Sequence, residues 1–429
     1  MNKYTSSKVR KAFFAVALFC IFLALTPIVA AVNLEKDVKW SNGSNTQVTA
    51  VAVGDVNGDG LKEIVTGGSY WDGTHFIAQL RVFNGKTMQL IKERTWDGTN
   101  NIEIRSIAIG NVDNDNRVEI VTAGKSGQSA QICVWNGANL ALERSKTWQS
   151  GSNTAINSVA IGKVDLDRAV EIVTGGEFTD DGTYAQLCVL NGATLAFENV
   201  RTWGNASIYS VAIANVDSFL GIGIGGIVTG GYYMDGTRCV AQLRIWTVGR
   251  TLMLINSKTW YNTDSNAFLN TFIRSVAVGD VDNDRALEIV TGADSWDGPS
   301  HEVGELRVYS GIMLTLENSK TWCEEPSPQY TGLSRYISQV AIGNVDKDKA
   351  VEIVTGGWYA IKNYSGTHYL GSLRVLNGVN LQFEDVKSWE AGITHINSIA
   401  VANVDGDTAN EVVAGGSCLN GAQLTVWGP

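Results

Sequence analysis

The amino-acid sequence predicts an all-β protein, a seven-bladed β-propeller of four-stranded blades whose last blade is shared by the two ends of the chain. Three observations predict it. One segment recurs seven times at blade-sized spacing, the apolar residues of each recurrence alternate with period two, and the N-terminal segment matches a strand that the seventh recurrence lacks.

The recurring segment reads GDVNGDGLKEIVTGG from Gly54, GNVDNDNRVEIVTAG from Gly110, GKVDLDRAVEIVTGG from Gly162 and, in degenerate form, ANVDSFLGIGIGGIVTGG from Ala214. GDVDNDRALEIVTGA from Gly279, GNVDKDKAVEIVTGG from Gly343 and ANVDGDTANEVVAGG from Ala402 complete the set. Spacings measured at Asp55, Asn111, Lys163, Asn215, Asp280, Asn344 and Asn403 are 56, 52, 52, 65, 64 and 59 residues. These exceed helical-repeat periods and suit four short strands with their loops.

Each unit supplies four strands, here A to D. Strand A alternates, as in Ile104-Arg105-Ser106-Ile107-Ala108-Ile109; strand B is EIVTGG; strand C resembles QLRVFNG; strand D ends in Trp. An acidic turn joins A to B, a loop of variable length joins B to C, and Asn-Gly opens the turn from C to D. The strand D Trp recurs as Trp96, Trp148, Trp203, Trp260, Trp322 and Trp389, a periodicity that interblade packing demands. The seventh unit stops at QLTVWGP, whereas Asn33 to Trp40 reads NLEKDVKW and matches FEDVKSW and LENSKTW. The N-terminal segment is therefore expected to be the missing strand D, so that closure removes the exposed sheet edges of an open array.

Residues 1–11 carry Lys3, Lys8, Arg10 and Lys11 without an acid, and an apolar run from Ala12 to Val32 follows. Residues 1–31 read as a signal peptide cleaved after Ala31, with an uncleaved membrane anchor as the alternative, and residues 32–429 as the propeller. The chain of 429 residues has 33 Lys and Arg against 43 Asp and Glu, and losing the four basic leader residues takes its formal charge from −10 to −14. That sign is wrong for a counterion-releasing nucleic-acid binder, so nucleic acid is excluded as a partner and membrane contact is expected only through an uncleaved leader. Outside the leader Cys133, Cys188, Cys239, Cys323 and Cys418 remain, an odd number; Cys133 and Cys188 hold equivalent strand C positions, which marks them as strand side chains and not a dense disulfide framework.

Over residues 34–429 the chain resembles the FG-GAP and VCBS repeat β-propellers, the family that includes the seven-bladed head of integrin α chains. No unit carries the Phe-Gly pair, and the Gly-Ala-Pro position reads Gly-Gly-Ser, Ala-Gly-Lys or Gly-Gly-Trp. The resemblance implies the propeller fold and calcium held in the acidic turns.

The first acidic turn places oxygen ligands Asp55, Asn57, Asp59 and Glu63 at positions 1, 3, 5 and 9, with Gly60 at position 6. Hard oxygen donors at that spacing suit Ca²⁺, and a structural Ca²⁺ in the first blade is the cofactor expected. The fifth turn keeps Asp280, Asp282, Asp284 and Glu288 but has Arg285 in place of the Gly. Lys163 at position 1 of the third turn and Phe219 at position 5 of the fourth predict that those two are empty. The competing reading is that Asp and Asn bond their own turn backbone, with Arg168, Arg285 or Lys349 balancing charge.

The B to C and D to A loops share the opposite rim, and there the sequence varies. Trp71, Tyr233, Trp296, Trp358, Tyr359 and His368 are the binding candidates, since aromatic side chains with polar tips suit protein surfaces and sugar rings. All four His, His75, His301, His368 and His395, fall on this rim, without zinc-ligand spacing. Thr49, Arg105, Asn157, Tyr209, Arg274, Ser338 and Asn397 begin the innermost strands and form a second candidate, a polar ring at the channel mouth. Arg81, Arg244, Arg307 and Arg374 recur in strand C, where each is expected to pair with a blade carboxylate. No nucleophile, metalloprotease or phosphate-loop motif occurs. Together these features predict a secreted or cell-surface, calcium-supported binding module for a glycan or extracellular protein. The alternatives are a polysaccharide lyase or hydrolase on the same face and a passive surface scaffold. Sequons at Asn42, Asn205 and Asn363 fit export in a glycosylating host.

Overall fold

Alternating apolar residues bounded by Asn-Gly and Asp-Gly turns are realised as strands throughout. The structure, a computed structural model, describes residues 32–429 apart from 99, 215–224, 250, 262–269, 297–301, 323–332, 364–365, 391–393 and 420. The leader, Phe219, His301, Cys323 and Tyr364 lie outside the described residues. Twenty-eight strands form seven four-stranded antiparallel sheets. In blade 1 strand A is Ser44–Gly54, B is Glu63–Trp71, C is Phe76–Asn84 and D is Leu90–Trp96. Blades 2 to 6 repeat this order along the chain.

Blade 7 closes the ring as expected. His395–Ala402, Glu411–Cys418 and Gly421–Gly428 are its strands A to C, and Asn33–Trp40 pairs antiparallel with Gly421–Gly428, from Asn33 opposite Gly428 to Trp40 opposite Ala422. The strand D Trp then latches onto the next blade. Nε1–H of Trp40, Trp148 and Trp203 donates to the strand C amide of Gln79, Gln186 and Gln242 at 2.8, 2.8 and 3.0 Å. The recurring strand C arginines lie over these rings, Arg81 at 4.7 Å from Trp40 and Arg244 at 4.4 Å from Trp203. Two also hold the expected carboxylate, Arg81 with Glu93 at 3.2 Å and Arg307 with Glu305. The cation–π contacts thus tie neighbouring blades together, while each ion pair holds its arginine within its own blade.

The two glycines of TGG have separate tasks. The first packs strand B against the next blade: a Cβ on Gly415 would stand 2.5 Å from Val51 Cγ2. The second lies opposite an irregularity that recurs in every strand A, where the register with strand B slips across one residue. A Cβ on Gly357 or Gly416 would overlap the carbonyl oxygen of Tyr336 or His395, so only glycine admits so close a backbone approach there. A β-bulge of this kind re-aims the extra side chain.

One expectation changes. The sequence suggests a long B to C loop in blade 6 from Trp358 to Leu370, but strands B, Glu352–Asn363, and C, Gly366–Asn377, pair down to Asn363 opposite Gly366. Period-two side chains and a Gly366 φ of +134° let the hairpin continue through what reads as loop sequence. Cys133 and Cys188 are strand C side chains, as the sequence suggested, and are buried free thiols; Cys239 and Cys418 are free and half-buried. Burial pushes the Cys133 and Cys188 thiols up to about 12, so neither is a nucleophile.

Candidate functional site

The seven residues skipped by the strand A bulges are Thr49, Arg105, Asn157, Tyr209, Arg274, Ser338 and Asn397. They are the same seven that the sequence places in a polar ring, and together with Tyr336 they line a cavity of about 310 Å³. Below them lies a second tier, Ser106, Ser158, Ser210, Ser275, Gln339 and Ser398, around a space of about 110 Å³. This tier is structural. Backbone N–H groups of the following blade donate to it, for example Val159 to Ser106 Oγ at 3.1 Å, Val211 to Ser158 Oγ at 3.0 Å and Val51 to Ser398 Oγ at 2.9 Å.

The upper tier is also stitched from blade to blade. Asn157 donates to the Ile208 carbonyl at 2.9 Å, Ser338 to Ile396 at 2.6 Å, Asn397 to Val48 at 2.7 Å, and Thr49 to Ile104. Arg105 bonds Asn157 at 2.8 Å and pairs with Glu103 at 3.1 Å. Arg274 makes a two-pronged pair with the buried Asp294, at 2.5 and 3.1 Å. Its guanidinium lies 4.5 Å from the Tyr336 ring centroid and 5.0 Å from that of Tyr209. Burial would depress the Arg274 pKa, but the Asp294 carboxylate outweighs it and the guanidinium stays charged. Both arginines are thus neutralised within the ring. The mouth offers polar groups and aromatic planes without net charge.

The rim aromatics do not form one patch. Trp358 is the exception that reaches the channel wall: it stacks on Tyr336 at 5.4 Å and 17°, with His395 at 4.7 Å and Tyr369 at 5.7 Å. A continuous row runs from Tyr209 through Arg274 and Tyr336 to Trp358. Tyr336 was missing from the sequence candidates; its signal was its place two residues before the bulge at Ser338. Tyr359 follows Trp358 in a regular strand, hence points to the other face, and is only 8% exposed. Trp71 packs edge-on against Phe76 at 5.2 Å, Tyr233 packs against the core between blades 3 and 4, and His368 pairs with Glu390 at 2.9 Å. Trp296 is 42% exposed. Trp358→Ala is therefore expected to destabilise by about 2 kcal/mol, roughly half the cost of truncating a fully buried Trp. Trp296→Ala should leave the chemical-denaturation midpoint nearly unchanged, and equal effects of the two would refute this placement.

On the opposite rim the acidic turns differ in how far they satisfy themselves. In blade 1 Gly58 and Gly60 N–H donate to the two oxygens of Asp55 at 2.7 and 2.8 Å, and Val56 N–H donates to Glu63 Oε2 at 3.0 Å. Asn57 Nδ2 donates to Asp59 at 3.1 Å and Glu63 at 3.0 Å, so an amide sits among the four expected ligands. In blade 5 Asp280, Asp282 and Glu288 bring carboxylate oxygens within 4.8 Å of one another, and Asp280 Oδ1 is buried without a partner. Arg285 adopts a φ of +75° at the position where glycine was expected, and its N–H donates to Asp280 at 2.9 Å. Asp284 accepts the Ala286 N–H at 2.7 Å. Burial, reinforced by Asp282, pushes Glu288 up to about 7. The orphaned oxygen and the all-oxygen donor set fit Ca²⁺ in blade 5, while blade 1 would have to turn its Asn57 amide.

Fold and site together define a closed seven-bladed β-propeller with a neutral, bulge-built polar mouth on its variable face. Among solved structures the chain is similar to Sqt1 from Saccharomyces cerevisiae, with 12% identity over 92% of this chain and 98% of that one and a TM-score of 0.50. Sqt1 from Chaetomium thermophilum aligns with 14% identity over 92% and 100% of the two chains and a TM-score of 0.49. At such identities the likeness is one of fold alone. No protein-family model matches the chain, and no curated protein matches it.

Proposed function

We propose that the protein is a secreted or cell-surface binding module of the FG-GAP and VCBS propeller type, which takes a neutral, hydroxyl-rich group of a glycan or extracellular protein into its channel mouth. The observation that carries this reading is the set of seven bulges at one level, which turn seven non-equivalent side chains into a cavity of about 310 Å³. Repeats held only by packing demands would place equivalent residues there; here every blade differs except blades 3 and 7, which both place Asn, and blades 2 and 5, which both place Arg. A volume of this size lies at the lower end for small-ligand sites. Tyr209 and Tyr336 supply flat faces, and Arg105 and Arg274 supply donors whose charge is already balanced. Glu103 and Asp294 are each committed to an arginine, which favours binding over acid–base hydrolysis. Calcium in the acidic turns would brace blades on the other rim and take no part in ligand contact.

Binding to a glycan array and to extracellular proteins tests the reading. Arg105→Gln is expected to weaken capture roughly thirtyfold, the equivalent of about 2 kcal/mol at an interface hot spot, without moving the melt. Lys347→Ala, on the acidic-turn rim, should leave capture unchanged. A ligand whose affinity responds to Lys347 and ignores Arg105 would place the working face on the wrong rim.

A further inference from the structure

Each strand D Trp is preceded, eight residues back, by a buried aliphatic side chain: Met88, Leu140, Leu195, Leu252, Leu314 and Leu381 in blades 1 to 6. In blade 7 that place, eight residues before Trp40, belongs to Val32. Val32 is 0% exposed and shares the core between blades 6 and 7 with Leu373, Val375 and Trp427.

The backbone nitrogen of Val32 is held differently from the others. In blades 1, 2, 3 and 6 the N–H of the equivalent residue donates to the carbonyl four residues earlier, inside the C to D turn, at 2.8 to 2.9 Å. The Val32 nitrogen instead lies 3.1 Å from Asp385 Oδ2, on strand D of blade 6, Phe383–Trp389. Blade 4 makes the neutral version of this contact: Leu252 N–H donates at 3.1 Å to Asn199 Oδ1, on strand D of blade 3, Phe197–Gly204. Asp385 and Asn199 hold the same place, four residues before the Trp, and the other blades have Lys92, Arg144, Asn256, Asn318 and Lys36 there. A carboxylate occurs at this place once, and it faces Val32.

We propose that residues 1–31 are removed by hydrolysis of the Ala31–Val32 bond and that Asp385 receives the new α-ammonium of Val32, so that processing completes the seam between blades 6 and 7. The proposal rests on the leader reading of residues 1–31, in which Val29 and Ala31 are the small residues a leader peptidase takes. As the C–N bond breaks, water gives its OH to the Ala31 carbonyl carbon and its hydrogen to the Val32 nitrogen. That amine takes a further proton from solvent, since an α-amino group with a pKa of about 8 is mostly protonated at neutral pH.

A peptide N–H needs only a neutral acceptor, as Asn199 shows. An ammonium on a fully buried residue needs a counter-charge, and a charge-assisted bond of this kind is about twice as strong as a neutral one. The Asp385 side chain is 13% exposed; its Oδ1 accepts the Val386 N–H at 2.8 Å, and its Oδ2 is shared with Lys387 Nζ at 2.9 Å. Lys387 does not account for the acid. A basic residue recurs at its place as Arg94, Lys146, Arg201, Lys258 and Lys320, and none of these has an acid two residues before it.

The test is made on the full chain expressed in a secreting host, with the N-terminus read by intact mass. The chain is expected to begin at Val32; one that begins elsewhere, or keeps residues 1–31, would overturn the proposal. Asp385→Asn keeps an acceptor but removes the charge, and is expected to lower the melting temperature by about 3 °C. The same loss should appear in a Lys387→Met background. Inserting one Thr between Ala31 and Val32, with the mass confirming that it heads the mature chain, moves the ammonium off the carboxylate. It should cost a similar amount, with no further loss when Asp385→Asn is added. An Asp385→Asn effect that vanishes with Lys387→Met, or losses that add for the insertion and Asp385→Asn, would overturn the pairing. None of these measurements involves a ligand, so failure here is separable from failure of the channel mouth as a binding site.

Discussion

A chain lacking residues 32–40 is expected to lose its cooperative melt and to aggregate. Among the described residues the segment is the one strand paired to the outer edge of Gly421–Gly428, whose Ala422, Leu424 and Val426 are fully buried in the intact ring. Its removal leaves a flat strand with unpaired N–H and C=O groups and an apolar neighbour, the geometry that recruits a second chain. The Trp40 to Gln79 bond and the stacking of Arg81 on Trp40 disappear as well, so the seam between blades 7 and 1 opens. Size-exclusion chromatography with a thermal melt decides it: a monomer with an unchanged midpoint would show that strand D of blade 7 is dispensable.

Gly357→Ala is expected to destabilise by about 3 kcal/mol or more, in the range reserved for strain that cannot relax. The added Cβ meets the Tyr336 carbonyl oxygen, a backbone atom of the adjacent strand held by its own ladder. Strand B must part from the bulge of strand A, and with it go the positions of Tyr336 and Ser338. Gly356→Ala, whose clash is with the Ile399 side chain, should cost less because a side chain can turn away. Blade 5 carries Ala293, fully buried, at the equivalent position, so its bulge already admits a Cβ, and Ala293→Gly is expected to cost only about 1 kcal/mol, the loss of backbone restraint in a strand. Equilibrium unfolding in urea measures all three; equal losses for Gly356→Ala and Gly357→Ala would mean that the bulge is not the constraint.

The channel ring was legible because the repeat puts Arg105, Tyr209 and Arg274 at equivalent places in strand A of blades 2, 4 and 5, each between an Ile and a Ser, and large polar side chains there need an explanation. What the pattern could not tell is that each sits on a bulge, since a bulge adds a residue without changing local composition. Trp358 and Tyr359 show the opposite failure. As a cluster of aromatics after TGG they read as loop, whereas the hairpin runs on and alternation sends them to opposite faces. The acidic turns were judged on linear spacing, which favours Asp55 to Glu63; spacing does not show that the Asn57 amide turns its donor toward Asp59 and Glu63.

By itself the sequence determined the number of blades, the four strands of each and the closure by Asn33 to Trp40. The first two are written in local periodicity, because strand pairing within a blade is short-range, and the closure, between the two ends of the chain, is written in repetition, because NLEKDVKW matches the other strands D. Only the tertiary structure decided which side chains meet: the neutralisation of Arg105 and Arg274, the stack from Tyr209 to Trp358, and the partnerless Asp280 Oδ1. Those depend on curvature that brings residues from different blades, or from different strands, within a few ångströms. Repetition specifies the blades, but the chemistry lies where the blades differ and meet.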